Sequence, residues 1–333
     1  MTRRLIAAAT TALLACGAGT DDLPPVRVTV PPGAALAEVT DTLVARGVVR
    51  HQWWFKTVAR IQGLDRSVKA GVYDFVPGTS AGSILATLAA GREAMERVTI
   101  PEGLTVAETA ELLAAELPIS PAAIVEVAHD STLVRRLSTA GTVEGYLFPE
   151  TYTVRVSIDA RGMVATMVNE FRRHWLPEWD RRLDSLGLTR DQVVTLASIV
   201  EGEARAADER AVISGVYHNR LRLGMRLQAD PTVQYAIQQA TGSRKTRLLL
   251  KDYEFQSPYN TYLIKGLPPG PISSPGSASI VAALYPADVP YLYFVADSTG
   301  RHVFTRTYRE HVRAIARIRG QEQGRGQGQG HAP

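Results

Sequence analysis

Two rhythms of apolar and polar positions run along this chain. In the first third, short β-rich runs end in a Pro/Gly turn and lead into stretches whose apolar residues recur three and four apart. Val28–Gly33 (VTVPPG) returns later as Val98–Gly103 (VTIPEG), and the match continues with Ala37 and Glu38 against Ala107 and Glu108, and Leu43 against Leu113. This internal repeat predicts two strand–turn–helix units with helices over 35–46 and 105–116. Between the copies the pattern predicts a helix over 51–62, a strand over 71–76 and a helix over 80–90. Trp53, Trp54 and Phe55 fall in the first of these, as core or as a surface for sugar rings. Small helices are expected over 118–140, then a dense Gly/Pro/aromatic turn, Glu144–Tyr152, read as a junction leading into a strand at 153–156.

Past a helix over 161–174 and a polar connector, the helical rhythm strengthens. Thr189-Arg-Asp-Gln192 has the form of a capping box. Val193, Leu196, Ala197, Val200 and Ala204 follow at helical spacing and define a buried stripe. Further helices are predicted over 208–222, from Asp230–Pro231 to 241, and from Ser274–Pro275 to 285. A β-hairpin is predicted over 291–305, then a basic helix over 308–319, and the Gln/Gly/Arg tail from Gln321 reads as disordered. The fold class is α+β, an N-terminal α+β repeat region followed by a mostly helical domain with a small hairpin. The expected division is 1–16 export signal, 17–25 linker, 26–143 repeat region, 144–318 second, mostly helical domain and 319–333 tail.

Two carboxylates interrupt the buried stripe, Glu201 and Glu203. A carboxyl held against apolar surface has its pKa raised, which suits a general acid near neutral pH. At about 100° per residue, they stand roughly 200° apart and flank the stripe on opposite sides. Helix geometry therefore leaves open which of them is functional. The loop Ser257–Tyr262 (SPYNTY) and the stiff Lys265–Pro271 place Tyr, Asn and Thr side chains where sugar hydroxyls and acetamido groups could be met. Gly78-Thr-Ser-Ala-Gly82 has the form of a nucleophile elbow, but Thr79 or Ser80 capping the next helix is the simpler reading.

Composition narrows the class. The 333 residues are 45% hydrophobic and 21% charged, with a formal net charge of +4. That is a globular composition, without a basic stripe interleaved with aromatics that would point to nucleic acid. The seven histidines are scattered and no His-x-x-x-His pair occurs, so neither metal nor cofactor is expected. Arg3 and Arg4 precede an apolar run, Leu5–Ala15, too short to span a bilayer, as in an export signal. The single cysteine, Cys16, closes Leu13-Leu14-Ala15-Cys16, which resembles a lipobox and implies lipidation. A plain signal peptide or an uncleaved hydrophobic anchor are the other readings.

The strand–turn–helix repeat resembles half of a LysM module, a glycan-binding fold. The later motifs resemble the YceG/MltG-like endolytic murein transglycosylases. They are Ala197–Glu203 (ASIVEGE), Asn219–Leu221 (NRL), Gly224–Gln228 (GMRLQ), Asp230–Thr232 (DPT), Ser257–Tyr262, Gly266–Gly270 (GLPPG), Ser274–Gly276 (SPG) and Tyr291–Ala296 (YLYFVA), joined by Glu144–Tyr152 and Val98–Gly103. That resemblance implies cleavage of the β-1,4 bond between N-acetylmuramic acid and N-acetylglucosamine within a glycan strand, without water, leaving a 1,6-anhydro end. It assigns the acid to Glu201, with Glu203 as the fallback, and suggests Gln228, Tyr259, Asn260 and Tyr262 as the groove lining. It also implies a membrane-anchored enzyme of the cell envelope, acting on peptidoglycan beside peptidoglycan synthases. Family members usually carry a transmembrane helix where this chain has its short lipobox-like signal, and often a charged residue at the position of Gly202. A hydrolytic muramidase and a non-enzymatic glycan-binding envelope protein are the alternatives.

Overall fold

A computed structural model describes residues 23–134, 137, 138 and 140–328. The export-type segment and Cys16 lie outside the described residues. Among those described, no helix is long and apolar enough to cross a membrane. The chain is mixed α and β and forms two compact units. One holds the described residues up to Met95 together with Arg155–Ser157, and the other holds Glu96–Val154 and the chain from Ile158 onward.

The first unit runs β1 (Val26–Val30), α1 (Leu36–Ala45), α2 (Gln52–Ile61), β2 (Gly71–Phe75), α3 (Ala81–Ala90). β1 and β2 are antiparallel, with Val28 opposite Tyr73. Alternation along β1 turns Val28 and Val30 into the core, while Arg27 reaches across the sheet to Asp74 with two 3.0 Å bonds. Leu43, Phe55, Tyr73, Ile84, Leu85 and Leu88 fill the core. Of the aromatic cluster on α2 only Phe55 goes inside; Trp53 and Trp54 are 67% and 51% exposed. The Ser80 hydroxyl accepts from Ser83 N at 3.2 Å and caps α3, so the Gly78–Gly82 segment is a turn and cap.

The second unit opens at Glu96, within the repeat's other copy, β3 (Met95–Thr99) and α4 (Val106–Glu116). Both copies need the glycine of their turn, because Gly33 and Gly103 sit at φ of 76° and 81°. Then come α5 (Pro121–Ala128), α6 (Ser131–Val134) and β4 (Thr151–Arg155), which pairs with β3. Five helices follow: α7 (Ala160–His174), α8 (Pro177–Leu186), α9 (Arg190–Glu203), α10 (Arg210–Arg222) and α11 (Asp230–Thr241). The last elements are α12 (Ser277–Leu284), the antiparallel hairpin β5 (Tyr293–Ala296) and β6 (His302–Thr305), and α13 (Tyr308–Gly328).

Three expectations differ from this outcome. The compact units divide at Met95 rather than at 143/144. Glu144–Tyr152 is no junction: Glu144, Tyr146, Leu147 and Phe148 are buried within the second unit. Gly145 permits the close approach there, since a Cβ would stand 2.4 Å from Pro271 Cβ. The last helix runs on to Gly328.

Candidate active site

The centre of the second unit is α9. Its capping box is present as expected, with Gln192 N donating to the Thr189 hydroxyl and Thr189 N to the Gln192 side chain. Every residue from Val193 to Val200 is buried, so the helix is enclosed on all sides. The helix then ends on Glu201, Gly202 and Glu203. The C-terminus of a helix carries partial negative charge, so two carboxylates in its last turn need compensation. The fold compensates each of them differently.

Glu201 is tied into an ion-paired joint. One oxygen lies 3.2 Å from Arg210 Nη2 and the other accepts from Gly276 N at 3.1 Å, at the start of α12. The Arg210 Nε donates to Ser279 Oγ at 3.1 Å, and its Nη2 lies 3.8 Å from Glu102. Burial and the neighbouring Glu201 raise the Glu102 carboxyl, while Arg210 lowers it. Gly276 makes the joint possible, because a Cβ there would overlap the Glu102 carboxylate.

Glu203 emerges on the opposite side of the helix, in the wall of a cleft of about 520 Å³. Burial pushes its carboxyl up to about 7, and the nearby Asp230 pushes in the same direction. Tyr217, which donates its hydroxyl at 2.9 Å, holds the value down, as do Arg220 and the Asp230 backbone N–H. Gln228, Asp230, Tyr253, Tyr262 and His302 line the same cleft. Gly202 lets α11 close on α9 at this point, since a Cβ would stand 2.8 Å from Pro231. A half-buried carboxyl that titrates near neutrality and faces a polar groove is equipped for general acid–base chemistry on a sugar chain.

The YceG-like family profile matches residues 28–317. The chain belongs to the YceG-like family. Relatives from two species are named endolytic murein transglycosylase. That of Bacillus subtilis is 30% identical over 306 residues, covering 87% of this chain and 83% of the relative. That of Streptococcus pneumoniae is 29% identical over 324 residues, covering 87% of this chain and 58% of the relative. A crystal structure of a yceG-like protein from Listeria monocytogenes superposes with a TM-score of 0.61 at 30% identity, over 87% of this chain and 99% of that one.

In this YceG-like chain the proposed groove residues fall in three places. Gln228 and Tyr262 join Glu203 in the cleft. Tyr259 does not; its ring packs 4.9 Å from that of Tyr235, beside a separate cavity of about 280 Å³ that also meets Glu144. Asn260 is fully buried, and its amide is consumed by the loop. Its nitrogen donates to the carbonyls of Tyr253 and Phe255 at 3.0 and 2.9 Å, and its oxygen accepts from Tyr262 N at 2.9 Å. It shapes the loop that presents Tyr262 and has nothing left to offer a sugar. Thr261 does similar work, accepting from Gln228 N through its carbonyl and from Ala229 N through its hydroxyl. Gln228 is thereby held at φ 50°, the one non-glycine positive φ among the described residues.

Several cleft residues escaped the sequence reading. Asp230, expected only as the start of a helix, follows the cap Ala229, and its carboxylate accepts from the hydroxyls of Tyr262 at 2.6 Å and Tyr253 at 3.4 Å. Its place beside Gln228 in the GMRLQ–DPT pair of motifs was the available signal. His302 carried no signal. It is held by buried Glu209, with Nδ1 2.7 Å from Oε2, and its backbone N donates to the same carboxylate. His218 is structural, its Nε2 2.9 Å from the Ala283 carbonyl. Among the described residues, no cluster of three or more His, Cys, Asp and Glu side chains could hold a metal ion.

Proposed function

We propose that this chain is an endolytic lytic transglycosylase of peptidoglycan, and that its acid–base group is Glu203 rather than Glu201. The observation that carries the assignment is the Glu203 carboxyl itself, raised to about 7 by burial and set in the cleft wall with Gln228 and Tyr262. Glu201, by contrast, is engaged by Arg210 and Gly276 N. Family membership and the relatives' names support the reaction class.

The chemistry follows from one carboxyl used twice. Protonated Glu203 gives its proton to the glycosidic oxygen as the bond to C1 of N-acetylmuramic acid breaks. The carboxylate so formed removes the proton from the C6 hydroxyl, whose oxygen closes on C1. The products are a free 4-hydroxyl on N-acetylglucosamine and a 1,6-anhydro ring, and Glu203 ends protonated again. A hydrolase would require a second carboxylate to activate water. The candidate in the cleft, Asp230, is occupied by two tyrosine hydroxyls, which favours the transglycosylase over the muramidase.

Action on peptidoglycan places the catalytic unit outside the cytoplasm. Attachment through the N-terminal segment, with Cys16 lipidated, and work beside peptidoglycan synthases belong to the same proposal. They rest on Arg3, Arg4 and Leu5–Cys16 and on the family resemblance. Glycan binding by the first unit is supported by its strand–helix–helix–strand order and by the exposed Trp53 and Trp54.

Mass spectrometry of digested peptidoglycan tests the reading. Anhydro ends are expected from the native chain and from Glu201→Gln, and none from Glu203→Gln. Reducing ends without anhydro sugar would establish a muramidase instead. Unimpaired cleavage by Glu203→Gln would sink the site assignment.

A further inference from the structure

A second cavity, of about 590 Å³, lies in the hairpin and last helix of the catalytic unit, away from Glu203. Arg306, Arg313 and Arg317 are among the residues that line it. Among the described residues none of the three guanidiniums forms a salt bridge, although the Arg306 charge acts on the nearby Glu310. The acid beside them, Glu310, is already used, accepting from the backbone N–H groups of Arg306 and Thr307 at 3.0 and 3.1 Å to cap α13. Tyr291 and Phe304, stacked with ring centroids 5.8 Å apart, supply an apolar wall. Exposed guanidiniums outside any salt bridge, set beside an aromatic wall, suit a ligand bearing carboxylates and aliphatic side chains.

The two cavities share their elements. On α13, His311 and Ile315 line the Glu203 cleft, whereas Arg313 and Arg317 line the second cavity. On β6, His302 serves the cleft and Val303 to Thr305 serve the other side. A helix with its side chains is about 10–12 Å across. An extended peptide spans at most about 3.3–3.6 Å per residue, so roughly three residues cross that distance. We propose that the cavity at Arg306, Arg313 and Arg317 binds the carboxylate-bearing stem peptide of a glycan strand whose sugars lie in the Glu203 cleft. The enzyme then selects peptide-bearing strands over bare ones. This inference rests on the reading given under Proposed function.

The test compares glycan strands that retain their peptides with strands stripped by an amidase. Cleavage is read as kcat/KM on the native chain, and binding as co-sedimentation with Glu203→Gln. Peptide-bearing strands are expected to be preferred about tenfold in both readouts, as two exposed charge-assisted contacts allow. Arg313→Gln/Arg317→Gln, which keeps good helix formers on α13, is expected to bring both ratios to about one. A ratio of one in the native chain, or a preference that survives the double substitution, overturns the proposal. So does a double variant whose only loss is binding to anionic phospholipid vesicles, which would make a lipid headgroup the ligand. Failure of the enzymatic reading looks different: no anhydro ends from either strand, with the co-sedimentation ratio still reporting on the cavity.

Discussion

The Tyr217 hydroxyl donates to Oε1 of Glu203 at 2.9 Å, from a ring that is itself completely buried. That bond favours the charged carboxylate and opposes the burial that raises it. Removing it with Tyr217→Phe keeps the ring and leaves burial opposed only by Arg220 and the Asp230 backbone N–H. The acid must be protonated to act, so activity falls as pH rises through its pKa. The alkaline limb of the pH–rate profile, expected near 7 in the native chain, should move upward by about one unit. Rates of peptidoglycan cleavage between pH 5 and 9 check this.

Asp230→Asn should move the same limb the other way. The Asp230 charge raises the Glu203 carboxyl, and Asn removes that charge while keeping an oxygen for the Tyr262 hydroxyl. The pKa falls, and the rate at neutral pH falls with it because less of the acid is protonated. A rate loss at every pH with the limb unmoved in Asp230→Asn would show that Asp230 acts on the sugar rather than on Glu203.

The opposite placement of these two acids was legible in the sequence, and their roles were not. The stripe from Val193 to Val200 and the Thr189 capping box fixed α9, and the helical period put Glu201 and Glu203 on different sides. Choosing between them depended on what covers each side. Glu201 meets Arg210 and Gly276, whereas the cleft wall opposite Glu203 comes from the hairpin and α13, about a hundred residues further along. No local pattern encodes such a pairing. The loop Ser257–Tyr262 shows the same limit. Its polar side chains looked equally available, but a loop crossing a core must satisfy its own backbone, and Asn260 is spent on that. Only contact geometry separates it from Tyr262.

Glu201→Gln should cost stability rather than chemistry. The side chain is 8% exposed and its partner Arg210 is 17% exposed, so the pair is sheltered from solvent. Gln keeps an acceptor for Gly276 N but leaves Arg210 with the more distant Glu102 as its nearest charge partner, beside its bond to Ser279. A loss of about 1–3 kcal/mol is expected, or a few degrees in Tm. Thermal unfolding read together with cleavage checks it, and a stable but inactive protein would return the acid role to Glu201.

The buried Glu144 makes stability depend on pH. Its carboxyl accepts from Val106 N at 3.0 Å, yet burial still raises it from 4.5 to about 8. In that window the folded chain keeps a proton that the unfolded chain has released. Stability therefore falls as pH rises from about 4.5 to 8, by up to about 1.4 kcal/mol per pH unit. Glu144→Gln never ionises and should lose this slope. Glu203 contributes in the same direction up to about 7 in both proteins, so the difference between them isolates Glu144. Urea unfolding at pH 5, 6.5 and 8 measures it.

Gln228 separates stability from function most cleanly. Its φ of 50° lies in the left-handed region, where a side chain costs about 1–2 kcal/mol. The backbone is held there by Thr261, and the side chain reaches the Glu203 cleft. Gln228→Gly relieves the strain but gives the unfolded chain more freedom, worth about 0.4–1 kcal/mol. It should therefore unfold at the native midpoint or slightly above it. Gln228→Ala keeps the strain and should gain nothing. If the side chain contacts the glycan, both variants lose kcat/KM to a similar extent, about tenfold, although their stabilities differ. If Gln228 serves only to shape the turn, Gly retains full activity. Unfolding midpoints and kcat/KM measured on the pair decide between a residue strained to meet the substrate and one merely tolerated there.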